Sequence, residues 1–148
     1  MVTLANVENA EIVSSVRVLV VEDFEPFRRF LCSKLGESPQ LLVIGEASDG
    51  LDALHKAEEL QPDLVLLDIG LPKMNGIETC RKLRKLAPES KIIFVTQESS
   101  ADVVQAALSA GANGYVLKTF APRDLIAAVD AVLLGEQFGG QEVWGTLG

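Results

Sequence analysis

The sequence predicts an α/β domain built on a doubly wound, five-stranded parallel sheet with strand order 2-1-3-4-5. Two observations carry the fold class. Five short apolar runs alternate strictly with stretches of helical period, as in repeated strand–helix units. The runs are also apolar throughout, not on alternate residues, as expected of strands covered on both faces.

The first run, Arg17 to Val21 (RVLVV), precedes a helical stretch whose apolar residues are Phe27, Phe30, Leu31 and Leu35. Leu41 to Ala47 is the second, and Ser48-Asp49-Gly50 supplies a turn before a helix marked by Ala53, Ala57 and Leu60 and closed by Pro62. Asp63 to Leu67 is the third, followed by the periodic set Ile77, Cys80 and Leu83, with Pro88 as the stop. Lys91 to Val95 (KIIFV) is the fourth, followed by Val104, Ala107 and Leu108 and ended by Gly111. Gly114 to Leu117 (GYVL) is the fifth, and its helix carries Leu125, Val129 and Val132. Residues 1–15 read as a flexible N-terminal segment, 16–135 as the domain, and 136–148 as a glycine-rich tail or linker start that includes Trp144.

Composition limits the function. A chain of 148 residues, 48% apolar and 23% charged, suits one folded unit with a real core. It has no uncharged apolar run long enough to span a bilayer, and Met1 to Ser15 lacks the basic start and apolar middle of a signal peptide, so a cytoplasmic protein with no membrane partner is expected. A net charge of -8 repels phosphate backbones, so direct nucleic-acid binding is not expected. Cys32 and Cys80 lie far apart inside amphipathic stretches and read as buried thiols. Lys82, Arg84 and Lys85 read as the solvated face of the third helix.

In this fold ligands sit beyond the carboxyl ends of the strands. Glu22 and Asp23 follow the first strand, Asp68 the third, Thr96 the fourth and Lys118 the fifth. With the first and third strands adjacent, three carboxylates meet on one rim. Like charges that close raise one another's pKa unless a cation neutralises them, and a hard divalent ion with oxygen ligands, Mg²⁺ above all, does so. A carboxylate can also act as a nucleophile toward phosphorus, with an ammonium and a hydroxyl to hold the phosphoryl oxygens.

The set VVEDFEP, LVLLDIGLPKMNGIE, FVTQES and GANGYVLKT resembles the receiver domain of two-component response regulators, a flavodoxin-like (βα)5 phospho-acceptor module, over about Val16 to Gly135. The resemblance implies Mg²⁺-dependent phosphorylation of Asp68 by a sensor histidine kinase or phosphotransfer protein. It makes Glu22 and Asp23 the acidic pair, the Gly70 carbonyl the completion of the metal site, Thr96 the switch hydroxyl, Lys118 the phosphate-binding cation and Tyr115 the switch aromatic. Phosphorylation is then expected to draw Thr96 inward, let Tyr115 rotate toward the core and reshape the surface around the fourth helix, fifth strand and fifth helix. A downstream protein effector or a second copy, as a homodimer, would bind there. The domain would catalyse only its own phosphoryl transfer and slow autodephosphorylation, so it is not expected to be an enzyme in the ordinary sense. The fourth and fifth stretches are closest to members with a C-terminal helix-turn-helix, and no such domain is expected in this chain.

Two positions depart from the commoner pattern. Gln97 stands where a small residue is usual, and Thr119 follows Lys118 where proline is frequent. The family often has a cis peptide there, which costs about 3 kcal/mol without proline. The resemblance also implies that phosphoryl lifetime is tied to the positions of Gly70 and Glu98. His55, the only histidine, sits on a helix with no partner motif, which points to a receiver and not a phospho-donor. A flavin binder of the same fold needs a Ser/Thr/Gly-rich phosphate loop where this chain has the anionic EDFE. An aspartate-nucleophile phosphatase usually has a second aspartate at the position of Gly70. The remaining alternative is a degenerate receiver that binds partners without phosphorylation.

Overall fold

The structure, a computed structural model, describes residues 15–139. Most of both end segments, Trp144 included, lies outside the described residues. The strands are β1 (Val16–Val21), β2 (Leu41–Ala47), β3 (Leu64–Leu67), β4 (Lys91–Thr96) and β5 (Gly114–Leu117). The helices are α1 (Glu25–Leu35), α2 (Gly50–Leu60), α3 (Gly76–Leu86), α4 (Ala101–Ser109) and α5 (Ala121–Leu133). All pairings are parallel and the order is β2-β1-β3-β4-β5, as the sequence predicts.

Continuous apolar strands find a use for both faces. Leu19, Val21, Val65, Leu67, Ile92, Phe94 and Tyr115 pack toward α2, α3 and α4. Val18, Val20, Leu64, Leu66, Ile93, Val95 and Val116 pack toward α1 and α5. Burying both sets removes the central strands from water, the main favourable contribution to folding. Asp49, Asn75 and Ser100 start α2, α3 and α4 by accepting from backbone N–H groups of Asp52, Glu78 and Val103.

Three features go beyond the sequence reading. Lys118 to Phe120 form a 3-10 turn joining β5 to α5. Arg84 is half-buried and donates to the Ser90 carbonyl, so it does not belong to the solvated face assigned to it. Its side chain is drawn in because it covers Gly111, whose φ of +107° ends the α4 region. The segment after α5 returns to the sheet edge: Phe138 bridges Gly114 in parallel sense and its carbonyl accepts the Tyr115 N–H at 2.9 Å. Gly139 completes this strap at φ +90°, and a Cβ there would lie 1.7 Å from the Tyr115 carbonyl oxygen. Among the described residues no helix is long and apolar enough to cross a membrane.

Candidate functional site

Strand register assembles the site. Val21 pairs with Leu67, so Glu22 and Asp68, the next residue on each strand, emerge level with each other. Thr96 pairs with Leu117, which puts Lys118 one step above the Thr96 hydroxyl. The five rim residues expected to converge do so, around a cleft of about 240 Å³ also lined by Phe24, Gly70, Gln97 and Glu98.

Asp68 is buried, with one oxygen accepting its neighbour's N–H (Ile69) at 2.7 Å and the other facing Lys118 Nζ at 3.0 Å. Lys118 Nζ also lies 2.8 Å from Glu22 Oε1, and Glu22 Oε2 accepts the Phe24 N–H at 3.0 Å. Burial raises the Glu22 pKa against the opposing pull of Lys118. Burial works in the other direction on the Lys118 ammonium, but the Glu22 and Asp68 carboxylates outweigh it and raise its pKa. Asp23 is exposed at the mouth of the cleft. Nothing lies within 4 Å of the place a Cβ would take at Gly70, so that side of the cleft is open.

Oxygen atoms of Glu22, Asp23 and Asp68 lie within 4.8 Å of one another. One ammonium stands against three carboxylates, so the cluster keeps net negative charge toward an open cleft. That donor set, all oxygen and partly solvated, fits a hard divalent cation.

Thr96 is buried, with Oγ1 accepting the Glu98 N–H at 3.4 Å. Tyr115 already points inward: it is 2% exposed, tilted against Phe94 with ring centroids 6.2 Å apart, and its hydroxyl donates to the Glu98 carbonyl at 2.7 Å. Burial, with Glu98 and Asp68 nearby, pushes its pKa well up, so the phenol stays protonated and keeps donating. The bond after Lys118 is trans, as are all peptide bonds among the described residues.

Several residues at the site carried no sequence signal for it. A Cβ on Gly76 would lie 2.0 Å from the Asp68 carbonyl oxygen, so the backbone of α3 can approach Asp68 only through glycine. The Asn75-Gly76 pair, a turn signal, was the available clue. Phe27 sits with its ring 4.9 Å from Lys118 Nζ, although its spacing marked it only as core. His55 is exposed and both cysteines are free; Cys80 is buried and its pKa is pushed up to about 11 by burial, whereas Cys32 is half-buried.

Residues 18–130 match the response regulator receiver domain. The chain belongs to that family. The nitrate/nitrite response regulator NarL of Escherichia coli is 37% identical over 119 residues, which are 80% of this chain and 55% of NarL. A LuxR-family two-component response regulator from Aurantimonas superposes with a TM-score of 0.83 at 29% identity, over 88% of this chain and 94% of its own. RcsB from Salmonella enterica, solved bound to a promoter with phosphomimetic BeF3⁻, shares the fold at 24% identity and a TM-score of 0.78, over 84% of this chain and 62% of its own.

The last comparison corrects one expectation. RcsB is found on DNA, which overturns a partner set of proteins without nucleic acid. A sum of -8 covers this chain, which spans about 55% of NarL's length, and it does not weigh against contacts made by another part of a longer regulator.

Proposed function

We propose that this receiver accepts a phosphoryl group on Asp68 from a histidine kinase or phosphotransfer protein in the cytoplasm, and that the acyl phosphate switches an output surface. The observation that carries the reading is the placement of Asp68, buried beside Lys118 yet opening on the cleft. An Asp68 carboxylate oxygen attacks phosphorus, a P–O bond forms, and the P–N bond to the donor imidazole breaks. The imidazole nitrogen keeps the electron pair and takes up a proton. Lys118 and the Thr96 hydroxyl meet the added charge by ion pairing and hydrogen bonding.

Mg²⁺, held by Glu22, Asp23, Asp68 and the Gly70 carbonyl, would neutralise the carboxylates and the phosphoryl oxygens. The chain turns over no separate substrate; it catalyses its own phosphorylation and slow hydrolysis. Readout runs through Thr96 and the Tyr115 hydroxyl on Glu98, biasing two packings of the β4–α4 region. The RcsB complex, with phosphomimetic BeF3⁻ and promoter DNA together, supports an output at DNA by the regulator that carries such a domain.

Incubation with acetyl phosphate and Mg²⁺ is expected to add one phosphoryl group by intact-mass spectrometry. Asp68→Asn is expected to stay unmodified; equal labelling of that variant refutes the acceptor assignment. An unlabelled wild type would favour the phosphorylation-independent binding module instead.

A further inference from the structure

Lys118 is held on three sides. Two are carboxylates, Glu22 at 2.8 Å and Asp68 at 3.0 Å, and the third is the ring of Phe27, 4.9 Å from Nζ to centroid. The three contacts respond differently to an arriving phosphoryl group. Its negative charge competes with both carboxylates for the ammonium, whereas a neutral ring face attracts the cation through its quadrupole and adds no charge to repel the newcomer. Phe27 is also well fixed. Pro26 sets the first turn of α1, the ring is partly buried against the β1–α5 core, and Phe30 supports it with centroids 5.4 Å apart and planes tilted by 31°.

We infer that Phe27 is a positioning residue for Lys118: its ring face anchors the ammonium at the cleft wall, so that it trades carboxylate contact for a phosphoryl oxygen without swinging into solvent. This rests on the acceptor role given to Asp68. Only 15% of the Lys118 side chain is exposed, which makes the ring a substantial part of its surroundings.

The test is graded fluorination. Replacing Phe27 in the full chain by 4-fluoro-, 3,5-difluoro- and 3,4,5-trifluorophenylalanine keeps a ring of nearly the same size while draining the negative potential of its face. With Mg²⁺ present, beryllofluoride affinity by calorimetry is expected to weaken stepwise, by about two- to fivefold over the series. Phe27→Leu should weaken it at least as much and Phe27→Trp should restore it. A second readout needs no ligand: the Lys118 ε-methylene protons should be shifted upfield by the ring in wild type and return toward free-lysine positions in Phe27→Leu. A wild type that binds beryllofluoride with a flat fluorination series overturns the role of Phe27 alone. Unshifted Lys118 resonances in wild type overturn the contact itself. Shifted resonances in a wild type that never binds beryllofluoride support the anchoring of Lys118 and overturn the acceptor reading instead.

Discussion

At the amino ends of the strands, Arg17 donates to the carbonyls of Gln61 at 2.8 Å and Leu60 at 2.6 Å, and its own N–H donates to Asp63 Oδ2 at 2.8 Å. Nearby, Ile92 N–H donates to Asn113 Oδ1 at 2.8 Å and the Ser90 hydroxyl donates to the Pro62 carbonyl. At the carboxyl ends, Glu22 and Asp68 share one ammonium, and Asp23 stands beside them as a third carboxylate. Both ends place polar side chains where strands stop. The first meets them with neutral backbone groups; the second sets like charges together and leaves the imbalance facing a cleft. The difference separates polar residues that hold a fold from polar residues held by it.

The largest expected effect breaks the second end without touching a charge. Gly76→Ala puts a methyl group 2.0 Å from the Asp68 carbonyl oxygen, a backbone clash that no rotamer relieves. Urea unfolding should show a loss of about 3 kcal/mol, with the proposed phosphorylation of Asp68 impaired because the end of β3 must shift.

Lys118→Met comes next, about 2 to 3 kcal/mol in metal-free buffer, because it leaves the buried Glu22 without its counter-charge. The pH dependence follows from the raised Glu22 pKa. A folded state that binds the proton more tightly than the unfolded chain loses stability as pH rises from the ordinary carboxylate range through the raised value. Removing Lys118 removes an influence that lowers this pKa, so the deficit should be greatest near neutrality and shrink as the pH falls into the carboxylate range.

Arg17→Ala tests the opposite end and should cost about 1 to 2 kcal/mol, since the two carbonyls it serves are only partly recovered by water. Phosphorylation of Asp68 should be unchanged in rate, because the sheet separates the two ends.

Much of this was readable before the structure. Fully apolar strands announced a sheet covered on both faces, and carboxylates, hydroxyl and ammonium at successive strand ends announced the rim. What stayed hidden depends on approaches between residues remote in sequence. Phe27 and Lys118 are joined only by packing, and Phe27 has the same helical spacing as any core residue. Gly76 is a good turn residue on its own account, and its necessity appears only when Asp68 lies against it. Phe138 lies beyond the last periodic segment, where composition suggests a tail, yet it finds the open edge of β5. Sequence alone puts Arg84 on a charged helix face because periodicity assigns a direction to the Cβ but not to a long side chain that can fold back over Gly111.

The central claim is that the carboxyl end holds unrelieved negative charge and the amino end does not. Thermal unfolding of Asp23→Asn and Asp63→Asn in metal-free buffer tests it most directly. Asp23→Asn should be more stable than wild type by about 0.5 to 1 kcal/mol, because it removes a like charge from the cluster. Millimolar Mg²⁺ should reverse that order by binding wild type better. Asp63→Asn should be less stable than wild type by a similar amount and should respond to Mg²⁺ as wild type does. The two substitutions must therefore move in opposite directions without metal; destabilisation by both, with no effect of Mg²⁺ on their order, would contradict the account.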